Sequence, residues 1–205
     1  MLNRLFAQFS GPRGPLGEIA GLVMAHKNRA LNAWIVSVLD AGPEDRVVEI
    51  GYGPGLAVEA NAARALRGCV AGVDRSEVMW RHARRRNAAA IAAGRADLRV
   101  GDATALPFGD AAFTRALAVN SLQFWRPPEA GLRELRRVLA PGGRLILAQR
   151  LHKPDAGRFD RSRFGMTDER LAALLALLRG AGFAPAEPVR RAIGGETLAA
   201  IVATR

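Results

Sequence analysis

The sequence predicts an α/β protein with a mostly parallel sheet and helices on both faces. Three observations carry that prediction. Short apolar runs alternate with stretches whose apolar residues repeat at helical spacing through most of the chain. The first apolar run, VVEI, leads directly into a loop with glycines at alternate positions, Gly51, Gly53 and Gly55. Finally, Gly194-Gly195 joins the last two apolar runs as a hairpin, which sets an antiparallel strand at the end of the chain.

The elements follow in order. The first 16 residues are rich in Gly and Pro and read as a loop or frayed arm. Glu18 to Asp40 is helical in two pieces, with Leu31, Trp34, Ile35, Val38 and Leu39 at helical spacing. Pro43 ends that helix, and Arg46 to Ile50 is a buried strand. A helix from Leu56 to Leu66 closes at Gly68. Cys69 to Val73 is a second strand. Ser76 caps a helix that runs to Ala93, with Gly94 after it. Asp97 to Val100 and Phe113 to Val119 are strands. Pro127 or Pro128 opens a helix that reaches Leu139. Pro141-Gly142-Gly143 turns into the strand Arg144 to Gln149. Thr167 caps a Leu-rich helix that ends near Gly180 to Gly182. Ala184 to Ala192 and Thr197 to Ala203 are the two strands of the closing hairpin.

Composition narrows the class. At 205 residues, 49% hydrophobic and 24% charged, the chain suits one globular domain. No apolar run approaches the roughly 18 residues that suggest a membrane span, and no secretory signal is visible, so a cytoplasmic protein is expected. The single Cys69 allows no internal disulfide and sits in the apolar run CVAGV, as an inert thiol would. The formal charge of +11 invites a nucleic-acid reading. However, all but two of the 30 basic Lys and Arg residues are Arg, spread along the whole chain beside abundant Ala and Gly. Biased codon usage accounts for that pattern as well as a phosphate footprint does. The densest run, RHARRR from Arg81 to Arg86, reads as the solvated face of a helix, and no nucleic-acid partner is expected.

Ligands of open α/β sheets bind outside the carboxyl ends of the strands, so the glycine loop is the place to look. A dinucleotide requires G-x-G-x-x-G, and Leu56 stands where the third glycine belongs. The pattern acidic-x-G-x-G-x-G is matched in full by Glu49, Gly51, Gly53 and Gly55. Asp74 ends the second strand and can accept hydrogen bonds from both hydroxyls of a ribose; alternatively it is a helix cap. Asp102 ends the third strand within VGDATALPF and can accept from an exocyclic amine, or serve as a turn carboxylate.

These motifs resemble the class I S-adenosylmethionine-dependent methyltransferases, especially the small-molecule type that includes the ubiquinone- and menaquinone-pathway enzymes. EIGYGPG is similar to their first motif, GVDRSEVM to the second-strand motif and GDATALPF to the third. ALAVNSLQFW followed by LRELRRVLAPGGRLIL is similar to their fourth strand and the helix-turn-strand after it. The resemblance covers Arg46 to Gln149. It implies a single Rossmann-like domain with a seven-stranded sheet whose last strand is antiparallel. The S-adenosylmethionine-binding domain is read as residues 29–205, preceded by an arm, residues 1–28, whose glycines, prolines and apolar residues suit a lid or, alternatively, permanent docking on the domain or a dimer contact. The resemblance also implies roles. Glu49 orients the loop and approaches the cofactor amine. Gly51, Gly53 and Gly55 let the methionine moiety lie on the backbone. Asp74 holds the ribose, Arg75 and Met79 flank the adenine, and Asp102 with Ala103 reads its edge. Asn120 lies beneath the sulfonium end. Tyr52 is expected to close over the methionine portion rather than pack against the first helix.

The chemistry expected is methyl transfer to O, N or C of a small organic molecule by in-line displacement, with no metal. The alternatives are an RNA-modifying methyltransferase and a cofactor-binding relative that does not methylate. Asn120-Ser121-Leu122-Gln123 lacks the Pro-Pro-aromatic signature of enzymes acting on nucleobase amines. The acceptor pocket is expected between the arm and the loop Leu151 to Met166; Phe6, Phe9, Met24, Phe124, Trp125, Phe159 and Phe164 are candidates to line it, though residue by residue core or lid packing is the better reading. His82 is expected at the surface, and His26 and His152 near the pocket without a role as base. A homo-oligomer is left open.

Overall fold

The computed structural model describes residues 14–157 and 161–205. Phe6, Phe9 and Phe159, together with most of the arm expected as a loop, lie outside them. Helices α1 (Gly14–Lys27) and α2 (Arg29–Leu39) come first. The alternating core then runs β1 (Arg46–Ile50), α3 (Leu56–Ala62), β2 (Cys69–Asp74), α4 (Glu77–Arg86), α5 (Ala88–Ala92), β3 (Ala96–Val100), β4 (Phe113–Val119), α6 (Pro128–Val138) and β5 (Leu139–Arg150). It closes with α7 (Asp168–Gly180), β6 (Ala184–Pro185), β7 (Val189–Ile193) and β8 (Glu196–Thr204).

The sheet order is β3-β2-β1-β4-β5-β8-β6, with β7 also paired to β8. Strands β3, β2, β1, β4 and β5 are mutually parallel, and β8 is antiparallel to β5. The switch point lies between β1 and β4, because the chain first builds outward through β2 and β3 and then returns to the other side of β1. Alternate residues of each strand feed two cores. Val48, Ile50, Ala116, Leu145 and Leu147 join Leu132, Leu135, Leu174 and Leu178 under α6 and α7. Val47, Leu117, Ile146 and Ala148 join Leu31, Ile35, Leu39 and Val58 under α2 and α3. This is the Rossmann-like arrangement that the alternation implied.

The differences from the sequence reading have local causes. The first described helix begins at Gly14, inside the expected loop; Pro15 in its first turn is compatible with a helix start. The helix from Leu56 stops at Ala62 rather than Leu66, because the chain turns back under the preceding loop. The amides of Arg67 and Gly68 both donate to Pro43 O at 2.9 Å. The long helix after Ser76 divides at Asn87, whose buried side chain donates to Ala83 O at 2.9 Å and to Gly55 O at 3.1 Å. Pro141 to Gly143 is not a free turn. It is a bulged irregularity within β5: Gly142 has φ +74°, the register shifts between Phe113 and Arg115, and Gly142 N donates to Arg205 O at 3.0 Å. Among the described residues there are eight strands rather than seven. The stretch expected as one strand from Ala184 is split into β6 and β7 around Pro188, which has no amide to donate to the ladder.

Candidate functional site

A cleft of about 860 Å³ opens at the carboxyl ends of the parallel strands. Gly51 and Gly53 after β1, Asp74 and Arg75 after β2, Gly101 and Ala103 after β3, Asn120 after β4 and Arg150 at the end of β5 all line it. Met24 and Asn28 of the α1–α2 segment and Phe164 complete its rim. The topology therefore brings five strand ends from distant parts of the sequence to one opening.

The three loop glycines have different reasons. A side chain at Gly51 would meet Ser121 Cβ at 2.4 Å. At Gly55 it would meet Asn87 Nδ2 at 2.7 Å and Ala83 Cβ at 2.8 Å. Those two positions are excluded by the protein's own packing. Gly53 alone faces open space, with nothing nearer than Met24 Cε at 3.9 Å, and its φ is +53°. The space beside Gly53 is the room a ligand needs to touch the main chain.

Asp74 braces this loop. Its Oδ2 accepts from Gly53 N at 2.8 Å and its Oδ1 from Ser76 N at 2.9 Å. Ser76 in turn caps α4, accepting from Met79 N at 3.3 Å. Burial raises the Asp74 pKa against those two amides and Arg75, which lower it. Glu49 lies outside the cleft lining, buried behind the loop with Oε2 unpartnered. Burial first, and the Asp74 charge second, push its carboxyl well above the usual range, while a hydrogen bond from the Val58 backbone opposes them.

A raised carboxyl pKa means that the folded state holds the proton where the unfolded chain has lost it. Glu49 therefore lowers stability as pH rises from about its ordinary value of 4.5 up to its folded value. Thermal melts of Glu49→Gln should lose this falling component between those limits, compared with wild type. An unchanged pH profile would show that Glu49 is ionised in the fold.

Arg75 crosses the cleft mouth, donating from Nη1 to Phe124 O at 3.0 Å, with Nε 4.0 Å from Asp102 Oδ2. Asp102 stands beside the lining. Its Oδ1 accepts from Thr104 N at 2.9 Å and Thr104 Oγ1 at 2.8 Å, closing a turn that presents Gly101 and Ala103. Met79 is buried between the cleft and α1, where the Cβ of any side chain at Gly21 would meet its Cε at 2.8 Å. Asn120, at φ +49°, accepts on Oδ1 from Arg150 N at 2.8 Å and so ties β4 to β5 at the floor.

The expectation for Tyr52 is corrected. It is 3% exposed and lies outside the lining. Its hydroxyl donates to Arg99 O at 3.0 Å, and its ring fills the space above Gly72. Packing that apolar ring in the core outweighs closure over the cleft, and the loop turns it inward to do so. His82 is also corrected: its side chain is 13% exposed, with Nε2 2.7 Å from Glu18 Oε2. The Arg run around it is pinned in part, since Arg81 reaches Glu18 at 2.9 Å and Arg86 donates to Pro54 O at 3.0 Å. Neither His26 nor His152 lines the cleft.

Sequence reasoning missed Ser121, Asn87 and Arg150. Ser121 Oγ donates to Ile50 O at 2.6 Å across 71 residues of sequence, and Asn87 reaches Gly55 across 32. No local pattern marks such partners. The residues present fit S-adenosylmethionine. The open face of Gly53 accepts close approach, and Asp74, lining the cleft, offers carboxylate oxygens to hydroxyls. Among the described residues no cluster of His, Cys, Asp and Glu could hold a metal, and no helix is long and apolar enough to cross a membrane.

Comparison with known proteins gives the same answer. Residues 48–147 match the family described as methyltransferase domain. An uncharacterized methyltransferase, YdaC of Bacillus subtilis, is 27% identical over 80% of this chain and 86% of its own length. A demethylmenaquinone methyltransferase of Corynebacterium kroppenstedtii is 36% identical over 54% of this chain; the match spans 44% of that enzyme. A solved S-adenosylmethionine-dependent methyltransferase from Aquifex aeolicus shares the fold, with TM-score 0.70, 15% identity, and coverage of 85% of this chain and 89% of that one. The fold, the glycine loop and the match over residues 48–147 together support a class I S-adenosylmethionine-dependent methyltransferase.

Proposed function

We propose that the chain methylates an oxygen, nitrogen or carbon atom of a small organic molecule by in-line displacement. The cleft of about 860 Å³ carries this reading, because it runs past the cofactor-side strand ends to a second flank at β4 and β5. S-adenosylmethionine supplies there a methyl carbon already activated by positive sulfur. The protein's part is alignment and exclusion of water. In this reading Asp74 holds the ribose hydroxyls while bracing Gly53, and Arg75 with Met79 flanks the adenine. Asp102 and Ala103 present the turn that reads its edge, and Asn120 supports the sulfur end. Glu49, Gly51 and Gly55 act through the shape of the loop. The acceptor lies between Met24, Phe124 and Phe164, and residues 1–28 serve as its lid.

The test is a screen of small phenols, amines and carboxylic acids for release of S-adenosylhomocysteine, beside calorimetry of cofactor binding. Binding with turnover of a small acceptor is expected. Binding without turnover of any acceptor would favour a relative that does not methylate. Turnover only on added RNA would favour the RNA-modifying alternative.

A further inference from the structure

We propose that the acceptor is a small carboxylate and that Arg150 is the residue that selects it. This rests on the reading of the cleft as a methyl-transfer site. The strand order divides the opening. The residues matched to the nucleoside stand on β2 and β3, on one side of β1, whereas Arg150 ends β5, beyond β4 on the other side. It thus belongs to the flank left for the acceptor.

Arg150 is an unusual residue to find there. Its side chain is only 12% exposed, and burying a guanidinium is unfavourable unless its N–H groups find acceptors. Its Nε lies 2.8 Å from Glu196 Oε2, in a geometry that makes no hydrogen bond. Among the described residues no hydrogen bond is formed by either Nη. The guanidinium is held in place by Glu196 from behind and by the anchoring of its own amide on Asn120. A planar fork of N–H donors fits a carboxylate through two parallel hydrogen bonds.

The surroundings favour an anion. The carboxylates that line the cleft, Asp74 and Glu77, belong to the β2 side, and no described Lys, His, Tyr or Cys lines it. Apolar contact comes from Met24, Phe124 and Phe164. The whole chain carries a formal charge of +11, which draws anions toward the opening. The acceptor class this describes is an acid with an aryl or alkyl body.

The experiment titrates the full chain, saturated with S-adenosylhomocysteine, with benzoate, phenylacetate, cinnamate and hexanoate, each against its carboxamide. At least one acid is expected to bind about tenfold or more tightly than its amide, the scale of a charge-assisted pair. Arg150→Gln should erase that preference while leaving S-adenosylhomocysteine affinity unchanged. Arg150→Lys should keep part of it, and Glu196→Gln should tighten the acid by removing the competing charge. Acids that bind no better than amides, or a preference that survives Arg150→Gln, would overturn the proposal. So would loss of S-adenosylhomocysteine binding in Arg150→Gln, which would place Arg150 on the cofactor. If wild type fails to bind S-adenosylhomocysteine at all, the methyl-transfer reading fails, and this one with it.

Discussion

Gly53→Val is expected to abolish cofactor binding in a protein that still folds, and Gly55→Val to prevent folding. The two glycines are two residues apart and both have positive φ, +53° and +80°. Each valine would pay the strain of a left-handed backbone, which β-branched residues rarely adopt. The difference lies in what the new side chain meets. At Gly55 the Cβ alone comes within 2.8 Å of Ala83 Cβ and 3.0 Å of Ala83 Cα, so α4 must move away from the loop. That displaces Asn87, which clamps the Gly55 carbonyl and divides α4 from α5. At Gly53 only the end of the Met24 side chain stands near, at 3.9 Å, so the fold can absorb the change while the valine occupies the ligand's space. Thermal denaturation and cofactor calorimetry on both variants check this. Normal cofactor affinity in Gly53→Val would show that nothing approaches the backbone there.

Asp74→Ala should weaken cofactor binding by about 1–3 kcal/mol, or about 5- to 150-fold in affinity. Two losses combine. The carboxylate no longer offers acceptors to the ribose, and the amides of Gly53 and Ser76 lose their partners at 2.8 Å and 2.9 Å. The second loss loosens both the loop and the cap of α4, so a small fall in melting temperature should accompany the weaker binding. Asp74→Asn separates the two contributions, because its Oδ1 can still accept one amide. Unchanged cofactor affinity in Asp74→Ala would leave the residue a brace alone.

Much of this protein was legible in its sequence because strands and caps are local. β1 and β4 fall on the residues expected, and Ser76 and Thr167 cap α4 and α7, because apolar runs and side-chain caps are set by neighbours a few residues away. The antiparallel β8 followed from the glycine hairpin. The acidic-glycine pattern located the loop, and the resemblance of that motif and of those around Asp74 and Asp102 to a methyltransferase family implied the cofactor.

What only the tertiary structure decided is who meets whom. The helix breaks at Ala62 and Asn87 come from hydrogen bonds to Pro43 and Gly55, far away in sequence. The same holds inside the site. The sequence shows three glycines alike, whereas packing makes Gly51 room for Ser121 and Gly55 room for α4, and leaves Gly53 facing open space. Tyr52 turns into the core because Gly72 leaves a space there, a vacancy that belongs to another strand. Arg150 is one arginine among many in the sequence. It becomes distinct only when β5 is laid beside β4, since exposure and pairing are properties of the assembled sheet and not of the residue.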